Sequence, residues 1–256
     1  MHILNIAGYK FVALSELPDL CEQLLIKCND LAVKGTILLS PEGINISLAA
    51  MRENIEAFQQ YLQADERFAD MTFRESYSDF LPFNHMKVKI KKEIITMRRD
   101  DVQPQVAARA PSLLPEEFKQ WLDEGRDITI LDTRNDYEVR FGTFRNALNL
   151  QIDDFSEFPS AAARVAQDKP IVMFCTGGIR CEKAALHMMN NGHTNVYQLH
   201  GGILNYFSKV GGEHYDGECF VFDERVSLNA SLQMTGTQQC TVCEGPMQAS
   251  LCNQCN

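Results

Sequence analysis

No apolar run in the chain is long enough to cross a bilayer, and the opening residues, Met1-His2-Ile3-Leu4-Asn5, lack a basic region followed by a long apolar stretch. Neither a membrane anchor nor a secretory leader is expected. Positive charge is also scarce. Against 34 Asp and Glu stand 24 Lys and Arg, a net charge of −10, which argues against indiscriminate nucleic-acid binding while leaving room for a local basic face. The six histidines show no paired spacing. No set of two histidines and one carboxylate is recognisable and no dinucleotide fingerprint follows a strand, so neither an iron centre nor a flavin site can be read from the chain.

What is present is an ordinary globular composition, 45% hydrophobic and 23% charged over 256 residues, room enough for two small domains and a tail. Nine cysteines are an odd set, and four of them crowd the last seventeen residues. That usage suits a reducing cytoplasm with catalytic and metal-binding thiols better than a disulfide framework.

The chain is organised around residues 171–182. Ile171-Val172-Met173-Phe174 reads as a buried strand and residues 183–189 as the helix that follows. Between them lie Cys175-Thr176-Gly177-Gly178-Ile179-Arg180-Cys181. Gly177 and Gly178 can take positive φ and let backbone N–H groups converge, and the incoming helix adds its partial positive charge. Such a loop is an anion cradle, and the same field with Arg180 pushes Cys175 toward the reactive thiolate. A structural turn with a buried cysteine is the plainer alternative.

Before this loop the chain reads in three stretches. Residues 1–99 give strand, helix, strand, strand, helix, strand, a ferredoxin-like (acylphosphatase-like) α+β domain. Its first helix is expected to be capped by Ser15 and to run to Gly35, and its last strand spans 84–97. In that strand Lys87, Lys89 and Lys91 alternate with Met86, Val88 and Ile90. With Lys92, Arg98 and Arg99 against Glu93, the local charge is +5. A stripe of this kind is where phosphate backbones dock, and lysine also guards sheet edges. Residues 100–111, with two prolines and no periodicity, read as a linker. Residues 112–212 read as a parallel-sheet α/β domain whose first helix starts at Ser112 and whose strand 127–132 delivers Asp132 and Arg134 at its end.

The Cys175-x-x-Gly178-x-Arg180 loop resembles that of the rhodaneses, sulfurtransferases that carry a persulfide on the cysteine opening the loop. Four residues separate Cys175 from Arg180, where the related cysteine phosphatases have five, which argues against phosphatase action. Asp132-x-Arg134-x-x-x-Glu138 resembles a second rhodanese signature that braces the loop, although a salt-bridged strand end is an equally simple reading. His200-Gly201-Gly202 resembles the Gly-Gly turn after the last parallel strand, with His200 a structural neighbour. Cys181 departs from the usual Ser or Thr and places a second thiol within reach of the first.

Residues 213–256 form a cysteine-rich tail ending Cys240-x-x-Cys243, eight residues, Cys252-x-x-Cys255. Paired knuckles of this kind suit a structural tetrahedral zinc, with a redox-active tail as the alternative.

Taken together, residues 42–45, the 87–97 strand, the form of the cysteine loop, residues 220–225 and the tail are similar to the oxygen-dependent tRNA uridine hydroxylases. These are rhodanese-containing proteins that convert the wobble uridine of certain tRNAs to 5-hydroxyuridine. That resemblance implies molecular oxygen as co-substrate, Cys175 as the essential residue, and the N-terminal domain and basic strand as the holder of the tRNA anticodon loop. Two other readings stand beside it: a sulfurtransferase served by a sulfur donor or thiol reductant, and a non-catalytic RNA- or protein-binding adaptor.

Overall fold

A computed structural model describes residues 2–107, 109–247, 252 and 255. The chain forms two compact units, the first running to Thr96 and including Gln103–Val106, the second comprising Met97–Val102 and the residues from Ala107 onward. Among the described residues no helix is long and apolar enough to cross a membrane.

The first unit contains β1 (Ile3–Phe11), α1 (Leu17–Asp30), β2 (Lys34–Ser40), β3 (Gly43–Met51), α2 (Arg52–Gln63), β4 (Arg74–Ser78) and β5 (Met86–Ile90). Strand order is β4-β1-β3-β2-β5. The first four strands pair antiparallel, the split βαβ pattern expected, and β5 adds a parallel edge strand beside β2. Apolar residues of α1 and α2 at helical spacing, among them Leu20, Leu24, Ile55, Phe58 and Leu62, share one core with Leu4, Ile37, Ile46 and Leu48 from the strands.

Three local expectations are corrected here. The first helix, α1, stops at Asp30 rather than at Gly35, which lies inside β2. Ser15 is not a cap: α1 begins at Leu17 after Glu16, which adopts a left-handed conformation (φ 51°), and no side chain bonds the helix end. The strand expected over 84–97 stops at Ile90, whose side chain is 45% exposed rather than inward. Beyond it Glu42 Oε1 accepts from the Ile94 amide at 2.7 Å and Asn45 Nδ2 donates to the Ile94 carbonyl at 3.3 Å. Side chains thus satisfy the backbone groups that a ladder would have used.

The second unit opens with β6 (Ser112–Leu113), α3 (Pro115–Asp123), β7 (Thr129–Asp132), α4 (Asp136–Val139), β8 (Gly142–Phe144), β9 (Leu148–Asn149) and α5 (Phe158–Ala162). It continues through β10 (Ile171–Phe174), α6 (Ile179–Asn190), β11 (Val196–Leu199) and α7 (Gly202–Val210). A parallel sheet runs β6-β11-β10-β7-β9. Ser112 therefore belongs to a strand and does not start α3. That helix begins at Pro115, with Glu117 accepting from the Leu114 amide at 2.9 Å.

The segment after α7 is woven into this unit. β12 (Tyr215–Gly217) pairs with β8, β13 (Cys219–Phe220) with β14 (Ser227–Leu228), and β15 (Gln238–Gln239) with β16 (Pro246–Met247). Tyr215 closes an aromatic cluster around Phe144, whose ring lies 4.8–5.2 Å from Phe118, Phe174, Tyr206 and Tyr215, all near-perpendicular.

Candidate active site and cysteine cluster

Cys175 follows β10, a strand fully buried between neighbours, and lies at the carboxyl end of the sheet, where α/β proteins gather their chemistry. The helix starts earlier than expected, at Ile179, so that Arg180 and Cys181 belong to its first turn. Of the two loop glycines only Gly178 takes positive φ, at 100°. Its amide donates to Cys175 Sγ at 3.1 Å, and the Arg180 amide points at the same sulfur. Gly177 faces open space.

Cys175 is 1% exposed, yet the surroundings of its sulfur are polar. Burial pushes the thiol up. The Cys181 thiol, the Arg180 charge and the amides of Arg180 and Gly178 outweigh it and bring Cys175 down to about 6. Cys181 moves the opposite way, raised by burial and by the adjacent Cys175, so it stays the protonated donor of the pair. Thr133 Oγ1 lies 3.7 Å from Cys181 Sγ and donates to the Phe174 carbonyl at 3.0 Å.

The Arg180 guanidinium does not face the thiol as a free cation. It forks onto Glu138, with Nη1 to Oε1 at 2.5 Å and Nη2 to Oε2 at 2.8 Å. Glu138 also accepts from Thr176 Oγ1 at 3.5 Å. Asp132 and Arg134 form a second fork, 2.9 and 2.6 Å, with both side chains wholly buried. Arg134 also donates to the Gly142 carbonyl at 2.7 Å, and Thr143 Oγ1 to Asp132 at 2.8 Å, so this fork ties the end of β7 to β8. Glu138 thus touches the cysteine loop directly, whereas Asp132 and Arg134 act on its support.

Residues after β11 also shape the site. The amides of Ile203 and Leu204, at the start of α7, donate to the carbonyls of Cys175 (2.9 Å) and Thr176 (3.1 Å). Gly202 permits this approach: a Cβ there would stand 2.3 Å from the Cys175 carbonyl oxygen, and its φ is +66°. Cys219 is buried, its thiol donates to the Phe220 carbonyl at 3.6 Å, and burial pushes it up to about 12 while Thr176 acts to lower it. Phe222 has its ring centroid 5.9 Å from the Arg180 guanidinium carbon. Gly202 sits in the Gly-Gly turn, while Cys219 and Phe222 carry no spacing signal linking them to Cys175. His200 is exposed, with Nδ1 3.3 Å from Ser112 Oγ, and takes no part in the cysteine loop's hydrogen bonds described above.

The basic residues divide between the units. Lys87 and Lys89 are exposed on the edge strand β5, and Lys91 and Lys92 are exposed just past its end. Arg98 and Arg99 belong to the second unit, where Arg99 forks onto Asp101 at 2.8 and 2.9 Å.

Cys240, Cys243, Cys252 and Cys255 converge, with all four sulfurs within 4.8 Å of one another. Cys240 to Cys255 is 3.9 Å and Cys243 to Cys252 is 3.6 Å. The first knuckle is a tight turn in which the Glu244 amide donates to the Cys240 carbonyl and the Cys240 amide to that of Gly245, each at 2.9 Å.

Comparison with known proteins matches both halves of the chain. Residues 3–94 match the UPF0176 acylphosphatase-like domain and residues 114–209 the rhodanese-like domain. Proteins named tRNA uridine(34) hydroxylase are similar almost end to end. That of Cupriavidus pinatubonensis is 52% identical over 97% of this chain and 91% of its own length. That of Ralstonia nicotianae is 52% identical over 95% and 89%, and that of Burkholderia mallei 48% over 97% and 87%. With both domains and half of all positions shared along nearly the full length, the chain belongs to the tRNA uridine(34) hydroxylase family.

Proposed function

We propose that the protein converts the wobble uridine of tRNA to 5-hydroxyuridine with molecular oxygen as co-substrate, using Cys175 to activate the base. The observation that carries this reading is a sulfur held below the ordinary thiol range inside a ring of donors, in a chain of this family. A thiolate adds to carbon 6 of the uracil ring, leaving carbon 5 enolate-like and electron-rich. Carbon 5 then bonds to dioxygen, and protonation gives a hydroperoxide. Two electrons from an external thiol pair reduce it to the hydroxyl and water, the pair becoming a disulfide. Loss of the proton on carbon 5 with departure of Cys175 from carbon 6 restores the double bond.

The residues around Cys175 have distinct tasks in this scheme. Cys181 and the amides of Gly178 and Arg180 keep the sulfur ionised before attack and accept it back as a leaving group. Glu138 holds Arg180 in place. The substrate enters over Gly177, where the loop is open. Lys87, Lys89, Lys91 and Lys92 meet tRNA phosphates, and the unpaired bases of an anticodon loop are accessible as duplex bases are not. A reaction that draws on free thiols and a thiol reductant suits a cytoplasmic protein.

The four C-terminal sulfurs suit a structural zinc. A tetrahedral ion with Zn–S bonds near 2.3 Å sets its sulfurs about 3.8 Å apart, close to the spacings of 3.6 and 3.9 Å. Four protein ligands would leave no position for substrate, so the ion would brace the segment that follows β14.

The test is mass spectrometry of tRNA nucleosides from cells with and without the gene, complemented by Cys175→Ser. Normal 5-hydroxyuridine from the serine variant would exclude the mechanism. The second reading, a persulfide carrier, is favoured by the same four-residue cradle. Intact-mass measurement after thiosulfate treatment separates the two, because a carrier gains one sulfur on Cys175 and passes it on.

A further inference from the structure

We propose that Phe222 is a stacking platform for the target pyrimidine, holding the base beside the Cys175 loop. The proposal rests on the tRNA-modifying reading above and names the contact that would position its substrate. Phe222 is 58% exposed and, among the described Phe, Tyr and Trp residues of the second unit, is the one exposed side chain. It is placed at the reactive loop. Arg180, whose guanidinium lies over this ring at 5.9 Å, is also the residue whose amide points at the Cys175 sulfur.

The ring's mounting is stiff. Phe222 stands edge-on to Phe220, 5.2 Å away at 90°, and Phe220 is fixed in turn by Tyr137 at 5.3 Å and Phe141 at 5.1 Å. The turn that carries it is locked by a buried fork in which Arg225 donates to Asp223 at 2.7 and 2.6 Å. The Val221 amide donates to the Val226 carbonyl at 2.8 Å and the Val226 amide to that of Asp223 at 3.0 Å. A phenyl ring left in water forgoes the stabilisation of burial. One held there by such bracing has the form of an anchor that a partner covers.

The partner's chemistry follows from the neighbours. A guanidinium and a helix N-terminus lie beside the ring and favour an electron-rich group. A uracil offers a flat π face to the phenyl ring and carbonyl oxygens to the positive groups, and aromatic stacking accepts any unpaired base. Sequence choice would then rest elsewhere on the tRNA.

The test uses the full chain and an anticodon stem–loop RNA bearing 5-iodouridine at the wobble position. Irradiation followed by peptide mapping should place the crosslink on Phe222, and Phe222→Tyr should retain it. With tRNA as substrate, Phe222→Ala should lower kcat/KM by about ten- to a hundredfold, chiefly through KM, while Phe222→Trp keeps most of the activity. The pH profile of Cys175 alkylation should be unchanged in both variants, which shows the loop intact. A crosslink mapping wholly elsewhere, or Phe222→Ala turning over at the wild-type kcat/KM, would overturn the platform. A wild-type protein that crosslinks at Phe222 but forms no 5-hydroxyuridine would leave the platform standing and sink the hydroxylase reading instead.

Discussion

Glu138 grips both terminal nitrogens of Arg180, 42 residues further along the chain, at 2.5 and 2.8 Å, and both side chains are buried. Arg180 is an anchored part of the loop, and its positive charge reaches Cys175 from a fixed position. Removing the carboxylate strands a buried guanidinium. Glu138→Gln should therefore cost about 3–5 kcal/mol, read as a lower urea midpoint.

Cys175 alkylation should follow thiolate population. The thiol is lowered to about 6, so the reactive form is present above that pH and is lost as pH falls through it. An ordinary thiol would already lose it below about 8.5. Burial slows the reaction without changing the shape of the profile. Cys181→Ala, which removes the neighbouring thiol that lowers Cys175, should move the midpoint up, and Cys181→Ser should move it less. Identical profiles for all three proteins would contradict the assignment.

Gly202→Ala should separate fold from activity. The new methyl would meet the Cys175 and Thr176 carbonyl oxygens at 2.3 and 2.7 Å, so the cysteine loop must move. A displacement on the order of 1 Å costs about a hundredfold in rate. Circular dichroism should remain that of the parent while product formation falls.

Metal analysis of the purified protein should find one zinc per chain, and Cys243→Ser should lose it. Chelation should loosen the segment that carries β15 and β16, detected as faster amide exchange there than in the aromatic cluster around Phe144.

Replacing Lys87 and Lys89 with alanine should weaken tRNA binding and flatten its dependence on salt by about one unit of log–log slope per lysine. Arg99→Ala should change the slope less, because Arg99 is already committed to Asp101.

The reactive loop could be read in the sequence because its signal is local: an apolar strand, a thiol, glycines and a guanidinium within ten residues. The alternation that suggested a long final strand in the first unit failed at Ile90 because Glu42 and Asn45 supply the bonds that continue the chain to Ile94. Nothing at Arg180 announces that its partner is Glu138 rather than the thiol, and nothing at Phe222 announces Arg180. Such pairings depend on how separate loops meet at the end of a sheet, which periodicity does not encode.

The edge of the parallel sheet depends on residues ahead of its first strand. The Gln198 amide donates to the Pro111 carbonyl at 3.0 Å, and its side-chain nitrogen to that of Ala110 at 3.2 Å. A fragment cut to begin at Ser112 would forfeit both acceptors and bare the flank of β11. Anyone wishing to study the thiol-bearing half alone should therefore begin the fragment at Met97, where that half starts to pack.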